Sequence, residues 1–474
     1  MDRPRRNASS FTIVLLCVFS LLTISILSPS RVRAADGEVS SEGTPGPGIT
    51  GKQFSIDGYF LNEYRYRATQ VSGEHLSDQD IAAELRFDVT MPERNRFEFH
   101  FFGTANGDLD GKREQTSFYP LEDVTDTTSS WLFASLYEAH LDVNYLLPYL
   151  RQLRIGRQAG TRSEQIFFDG VASDFDVAQK LRMTVYGGVA VHFFEIDSPW
   201  GSDMLAGIGA DYFPFDATAV NMDYLYTRDN RTDYLGTDRK DHLLSFKVRQ
   251  RLLPSTKAMI EFNLVNVKSR DMEIRVINSF PEQALELSAA YYIQFQTMGE
   301  LSNELSQFYD VVGATSPYQY FDINVRKLFG QHFSLDAGYY YRFLLKKQEE
   351  SEWNRQYTRL FAAFGMEDVL LSGLSFAFNG DYWKTGDNQV SSAGLSAEYE
   401  FEVRNKKANV DIGTYFSLYK YDDFSEQGER ENVQTYYIKS KIPVTRDVAV
   451  EGRYEYENGL ENYHALRVGM CYEF

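Results

Sequence analysis

From position 53 onward the chain alternates between apolar and polar residues. Phe54, Ile56, Phe60, Tyr64 and Tyr66 interleave with Asp57, Tyr59, Glu63, Arg65 and Arg67. Ile81, Ala83, Leu85, Phe87 and Val89 do so with Glu84, Arg86, Asp88 and Thr90, and Phe333, Leu335, Ala337, Tyr339 and Tyr341 with Ser334, Asp336, Gly338, Tyr340 and Arg342. Ala393, Leu395, Ala397, Tyr399 and Phe401 repeat the pattern against Gly394, Ser396, Glu398, Glu400 and Glu402. A period of two belongs to strands, where successive side chains point to opposite faces of a sheet. No convincing helical period competes with it. Each segment therefore has one apolar, aromatic-rich face and one charged face.

Either a soluble sandwich or a transmembrane barrel could use such strands. Their length favours the barrel, because the alternating runs are about 9 to 14 residues long, what a tilted strand needs to cross a bilayer, against about 5 to 6 in soluble sheets. Aromatics cluster near the run ends (Tyr64/Tyr66, Tyr339/Tyr341, Tyr382/Trp383, Tyr454/Tyr456), as interfacial girdles would require. Connections are expected to alternate short and long, with polar long ones at 106–130, 228–240, 298–316, 347–352 and 421–431. Proline lacks the N–H that a ladder needs, and Pro92, Pro148, Pro214, Pro254, Pro281 and Pro443 fall in the short connections.

Segments between turns start near Phe54, Asp80, Phe97, Leu132, Leu150, Gln165, Gln179, Asp203, Ala217, Lys240, Lys257, Asp271, Ala284, Tyr318, His332, Asn354, Leu371, Gln389, Lys407, Asn432, Asp447 and Glu461. They predict an all-β, antiparallel up-and-down transmembrane barrel of about 22 strands. Loss of a hairpin at 150–176 or 257–279 would reduce the number to 20, and loss of both to 18. An even number returns both ends of the barrel to the same side of the membrane.

The first 34 residues differ. Arg3, Arg5 and Arg6 precede an apolar run, Phe11 to Leu27, and Val32-Arg33-Ala34 forms a small-residue cleavage site. This reads as a secretory signal peptide, with a retained anchor as the alternative. Residues 35–52, rich in Gly, Ser and Pro, read as a flexible periplasmic tail before a single barrel domain at 53–474. So short a tail leaves no room for a plug domain of the kind that closes TonB-dependent transporters.

Composition narrows the function. The 474 residues carry 48 Lys+Arg against 67 Asp+Glu, a net charge of −19, and cleavage after Ala34 would make it −23. That disfavours nucleic acid, which binds through cations on its phosphates. Two cysteines, Cys17 and Cys471, allow no disulfide scaffold, and no CxxCH haem motif occurs. We expect neither a metal nor a cofactor site. Asn106-Gly107-Asp108-Leu109-Asp110-Gly111 has the opening of a calcium loop but lacks the closing acid, so it reads as an acidic surface loop. His242 and His464 fall on the apolar face with no serine motif beside them, and an enzyme is not expected.

The polar face supplies the candidate pore-lining residues: Glu84, Arg86, Asp88, Glu98, Asp142, Arg154, Asp322, Arg326, Asp336, Arg342, Glu398, Glu400, Asp411 and Arg467, with Arg182, Lys247, Arg249, Glu261, Arg359, Asp381 and Arg453 beside them. Opposed charges on a wet wall orient passing solutes or brace the wall itself. Acids in the long connections suggest a modest cation preference.

Two stretches resemble known families. The chain ends Arg-Val-Gly-Met-Cys-Tyr-Glu-Phe, where Leu466, Val468, Met470, Tyr472 and Phe474 share one face. This resembles the C-terminal β-signal of Gram-negative outer-membrane porin-like barrels, with Arg467, Gly469, Tyr472 and Phe474 as its marks. The resemblance implies an outer-membrane location and recognition by the barrel-assembly machinery. Leu153-Arg154-Ile155-Gly156-Arg157-Gln158, followed by Phe168-Asp169-Gly170-Val171, is similar to a segment of alginate-export-type porins. The expected function is a channel for passive or weakly selective passage of small hydrophilic solutes. Two alternatives are a scaffold sheathing a periplasmic or extracellular partner, such as a multihaem cytochrome, and a polymer exporter. Outer-membrane lipid is the remaining expected partner.

Overall fold

The structure, a computed structural model, describes residues 55–71, 74–91, 97–111, 121, 131–161, 165–191, 203–231, 237–296, 316–346, 356–385, 388–418, 432–459 and 462–474. The signal peptide and tail expected over 1–52, and most of the long connections, lie outside them.

The described chain is 22 strands, β1 to β22: Ser55–Val71, Glu74–Thr90, Phe97–Asp108, Leu132–Leu147, Leu150–Thr161, Gln165–Ala178, Leu181–Ala190, Met204–Phe215, Thr218–Arg231, Thr237–Leu253, Thr256–Val265, Lys268–Phe280, Leu285–Gln294, Tyr318–Phe329, Phe333–Leu344, Tyr357–Glu367, Leu374–Thr385, Asn388–Val403, Lys406–Leu418, Asn432–Pro443, Val448–Asn458 and Tyr463–Glu473. One 3-10 turn, Pro281–Gln283, is the only helical element among them. Every strand pairs antiparallel with its sequence neighbours, and β1 pairs with β22, so the sheet closes on itself. At the seam Gly58 and Phe474 exchange both backbone hydrogen bonds, at 2.9 and 3.0 Å. Closure leaves no unpaired edge, which a spanning sheet requires because the bilayer core offers no water to satisfy N–H and C=O groups.

All the expected segments form, including the hairpins at 150–176 and 257–279. The largest boundary error is at β2, which starts at Glu74 and not near Asp80 because β1 and β2 run 17 residues each and pair along their whole length, from Ser55 with Thr90 to Val71 with Glu74. Long connections are accordingly not strictly alternate: at the end of the barrel that carries them, 72–73, 162–164, 266–267 and 386–387 are short. With strands about 4.8 Å apart and tilted about 40°, a circular barrel of this size has a backbone radius of roughly 20 Å. Side chains alone cannot fill that width.

Candidate functional site

Alternation sorts the wall into two faces. Ile56, Ile81, Ile155, Val171, Ile208, Ile260, Ile323, Leu360, Phe378, Leu395, Ile412, Ile438 and Val468 are all well exposed and lie on one face. Side chains of opposite parity are half-buried against one another, as on the concave side of a closed sheet. His242 and His464 lie on the exposed face, paired with Tyr224 at 2.7 Å and Tyr454 at 2.8 Å. Tyr339 and Tyr382 share that face. Trp383 does not. Its ring stands on the polar face below the Arg359 guanidinium, so it is no part of an outer girdle.

The candidate polar-face residues lie on one face, where most engage a neighbouring side chain and Arg154–Asp142 and Arg326–Asp336 engage each other. Glu84 accepts from the Tyr59 hydroxyl, Arg86 lies 5.9 Å from the Phe102 ring, and Asp88 meets His100 at 2.5 Å. Asn144 donates to Glu98 at 3.2 Å, and Arg154 grips both oxygens of Asp142 at 2.7 and 2.8 Å. Asn324 donates to Asp322, Arg326 pairs with Asp336 at 3.0 Å, Asn409 donates to Glu398, and Lys407 pairs with Glu400 at 2.9 Å. Lys247–Glu261 and Arg359–Asp381 close similar bridges at 2.6 and 2.5 Å.

Cross-strand register adds what single strands could not reveal. Glu398, Asp411, Lys439, Arg453, Arg467, Arg65, Asp80 and Asp108 are successive partners across the seam, so one rung crosses eight strands with four cations at its centre. Tyr437 spreads its ring under Lys439, 4.2 Å from the ammonium, and donates to Asp411. Arg467 was legible as a polar-face residue, but Lys439 and Arg65 join it only through pairing.

A second feature is aromatic. Tyr292, Tyr320, Tyr340, Tyr357 and Trp383 form a chain of rings across β13 to β17, with successive centroids 4.9 to 5.3 Å apart. Tyr318 joins it beside Tyr292, and Arg342 lies 4.0 Å over the Tyr318 ring. Such contacts are cation–π attractions, which also hold the guanidinium flat against the wall. The rings sit near the strand ends that adjoin connections 295–317 and 345–356.

Between β5 and β11 the same face hollows into a cavity of about 460 Å³. Arg154, Asp174, Asp211, Asp223, Lys247, Arg249 and Glu261 supply charges, while Phe168, Leu205 and Leu225 are fully buried at its apolar edge. Tyr186 crosses the intervening strand to reach Asp223 at 3.3 Å, because Gly207 has no side chain in its path.

The stretches 153–158 and 168–171 meet in register: Ile155 opposes Val171, Gly156 opposes Gly170, and Arg157 opposes Asp169 in a two-point ion pair at 2.7 and 2.6 Å. Gly156 has φ +127°, and a Cβ there would lie 2.2 Å from the Ala139 carbonyl oxygen, so only glycine fits. The Asp108 carboxylate accepts from the backbone of Asp110 and Gly111, which makes this stretch a self-capped turn. At the C-terminus Leu466, Val468 and Met470 are exposed, and Tyr472 stacks on Phe474 at 5.7 Å.

A closed sheet with an aliphatic outside and a charged inside defines a transmembrane β-barrel of the outer-membrane type. Neither a family model nor a curated protein matches the chain. Among solved structures it is similar to OccAB1 of Acinetobacter baumannii (10 % identity, TM-score 0.38, covering 88 % of this chain and 97 % of that one). It is also similar to a BenF-like porin of Pseudomonas fluorescens Pf-5 (10 %, 0.40, 89 % and 98 %) and to OccK11 (OpdR) of Pseudomonas aeruginosa (8 %, 0.40, 89 % and 96 %).

Proposed function

We propose that this protein is an outer-membrane channel through which small hydrophilic solutes pass with weak selectivity and a modest preference for cations. The observation that supports it is the inner face of the closed barrel, where charges of both signs are paired along the wall and leave a width that water would fill. Glu84, Arg86, Asp88, Glu98, Asp142, Arg154, Asp322, Arg326, Asp336, Arg342, Glu398, Glu400, Asp411 and Arg467 line that path and carry no catalytic role. The ring chain from Tyr292 to Trp383 favours solutes that combine polar edges with a flat or ring face. Arg467, Gly469, Tyr472 and Phe474 serve assembly, with the barrel-assembly machinery as partner.

Purified, refolded full-length protein in a planar bilayer tests this reading. Stepwise conductance and a reversal potential on the cation side are expected. Silent bilayers from a heat-modifiable, correctly folded barrel would overturn the channel reading.

A further inference from the structure

Four acidic or imidazole side chains converge on the polar face of β3 and β4, and their hydrogen bonding constrains their chemistry. The ligand atoms of His100, His140 and Asp142 all lie within 4.8 Å of one another. His100 Nε2 is 3.7 Å from Asp142 Oδ2 and 3.7 Å from Glu98 Oε2, and His140 Nε2 is 3.9 Å from Asp142 Oδ1. The other ring nitrogens face acceptors: His100 Nδ1 is 2.5 Å from Asp88 Oδ1, and His140 Nδ1 is 3.3 Å from the Arg157 carbonyl oxygen. A neutral imidazole that donates through Nδ1 presents a lone pair at Nε2. Both Nε2 atoms therefore stand 3.7 to 3.9 Å from carboxylate oxygens, which are also acceptors. Arg154, Gln152 and Asn144 donate to these carboxylates, and a cation between them and the two Nε2 atoms would add the partner that the imidazole lone pairs lack.

We propose that this cluster is a binding site for one divalent transition-metal ion of the zinc, nickel and copper class, held by His100 Nε2, His140 Nε2, Asp142 and Glu98. Imidazole with carboxylate suits those ions. Four ligands at about 2.0–2.2 Å in a tetrahedron stand about 3.3–3.5 Å apart, so the pairs at 3.7 and 3.9 Å close by a few tenths of an ångström and a pair as wide as 4.8 Å by about 1 Å. The two rings stack at 4.7 Å and 26° and must splay on binding. His100, the more exposed ring, tilts about its Asp88 hydrogen bond. Asp88 and the Arg157 carbonyl are the outer partners that fix the tautomer of ligating histidines. Arg154 and Gln152 hold Asp142 from its far side. Three carboxylates against the single guanidinium of Arg154 leave two negative charges, which a divalent ion neutralises. The ion ties β3 to β4 with support from β2 and β5.

The site goes beyond the channel reading and is tested without conductance. Refolded full-length protein, stripped with chelator, is titrated calorimetrically with Zn²⁺ alone. One ion per barrel is expected. His100→Gln and Glu98→Gln should each weaken binding at least tenfold, and Asp88→Asn, which touches no ion, about 10- to 100-fold. His242→Gln and His464→Gln, on the other face, should leave it unchanged. Absence of binding, or equal affinity in the wild type and His100→Gln, overturns the site. If a variant does not fold, the wild type decides: bound Zn²⁺ must protect His100 from carbethoxylation, and an unchanged modification rate overturns the proposal.

Discussion

Placing arginine at Leu395 and at Glu398 separates the two faces of one strand. Leu395 is the eighth of the sixteen residues of β18, 44 % exposed, with Phe378 at 49 % opposite it on β17. At about 3.3 Å per residue and a tilt near 40°, this position lies close to the middle of an apolar band about 25 Å tall. Leu395→Arg should therefore cost about 2–4 kcal/mol, the midplane figure, and not the 0–1 kcal/mol of an interfacial site. Glu398 has the opposite parity, accepts a hydrogen bond from Asn409 and stands across from Asp411. Glu398→Arg replaces a like-charge neighbour with an opposite one and should change stability by less than about 1 kcal/mol, while shifting permeability toward anions. Reversible urea unfolding in lipid vesicles, followed by tryptophan fluorescence, measures the stabilities, and a KCl gradient measures the ion bias. A tolerated Leu395→Arg together with a Glu398→Arg that fails to assemble would invert the facing of β18 and refute the register.

Deleting Phe474 removes its backbone pair with Gly58, and replacing it with Asp removes the ring that stacks on Tyr472; in both, secretion should continue while heat-modifiable barrel disappears from the outer membrane, and normal assembly would sink the signal reading. Neutralising the centre of the cationic rung with Lys439→Gln, Arg453→Gln and Arg467→Gln should raise the cation-to-anion permeability ratio. The change should shrink between 0.1 and 1 M salt as the screening length falls from about 10 to about 3 Å, and a ratio insensitive to all three would place the ion filter elsewhere. Gly156→Val forces a side chain against the Ala139 carbonyl at a φ of +127°, so unfolding should become easier by about 1–3 kcal/mol, and an unchanged urea midpoint would deny that glycine is required there.

Alternation made the strands legible because a closed wall imposes one rule on most of each segment, apolar outward and polar inward, from which Arg157 and Asp169 on the outward side and Phe168, Leu205 and Leu225 on the inward side depart. It placed Leu395 and Glu398 on their faces and set strand starts such as Leu132, Leu150 and Asn432 correctly. It did not reveal heights. Whether His100 and His140 meet depends on how β3 slides along β4, and that pairing contains a bulge between Phe102 and Gly103 that no period shows. The rung of Lys439, Arg453, Arg467 and Arg65 was hidden for the same reason, with its members split between the two ends of the chain. Trp383 was misread because tyrosine and tryptophan are as much at home on a wet inner wall as at a lipid boundary, and proximity to a strand end alone cannot distinguish the two.

The pairing of β1 with β22 also sets a timetable. Every other ladder joins segments adjacent in sequence and can zip as a hairpin, but the last one must wait until the final residues have been made and exported. Until then the 17-residue β1 presents one side of its backbone unsatisfied, and such an edge recruits any strand it meets, including the same strand of another copy. The chain therefore reaches the membrane with this ladder unformed, and the barrel is complete only when its two ends pair. Overproduction should fail at that step first, as strand-swapped aggregates and not as misfolded hairpins.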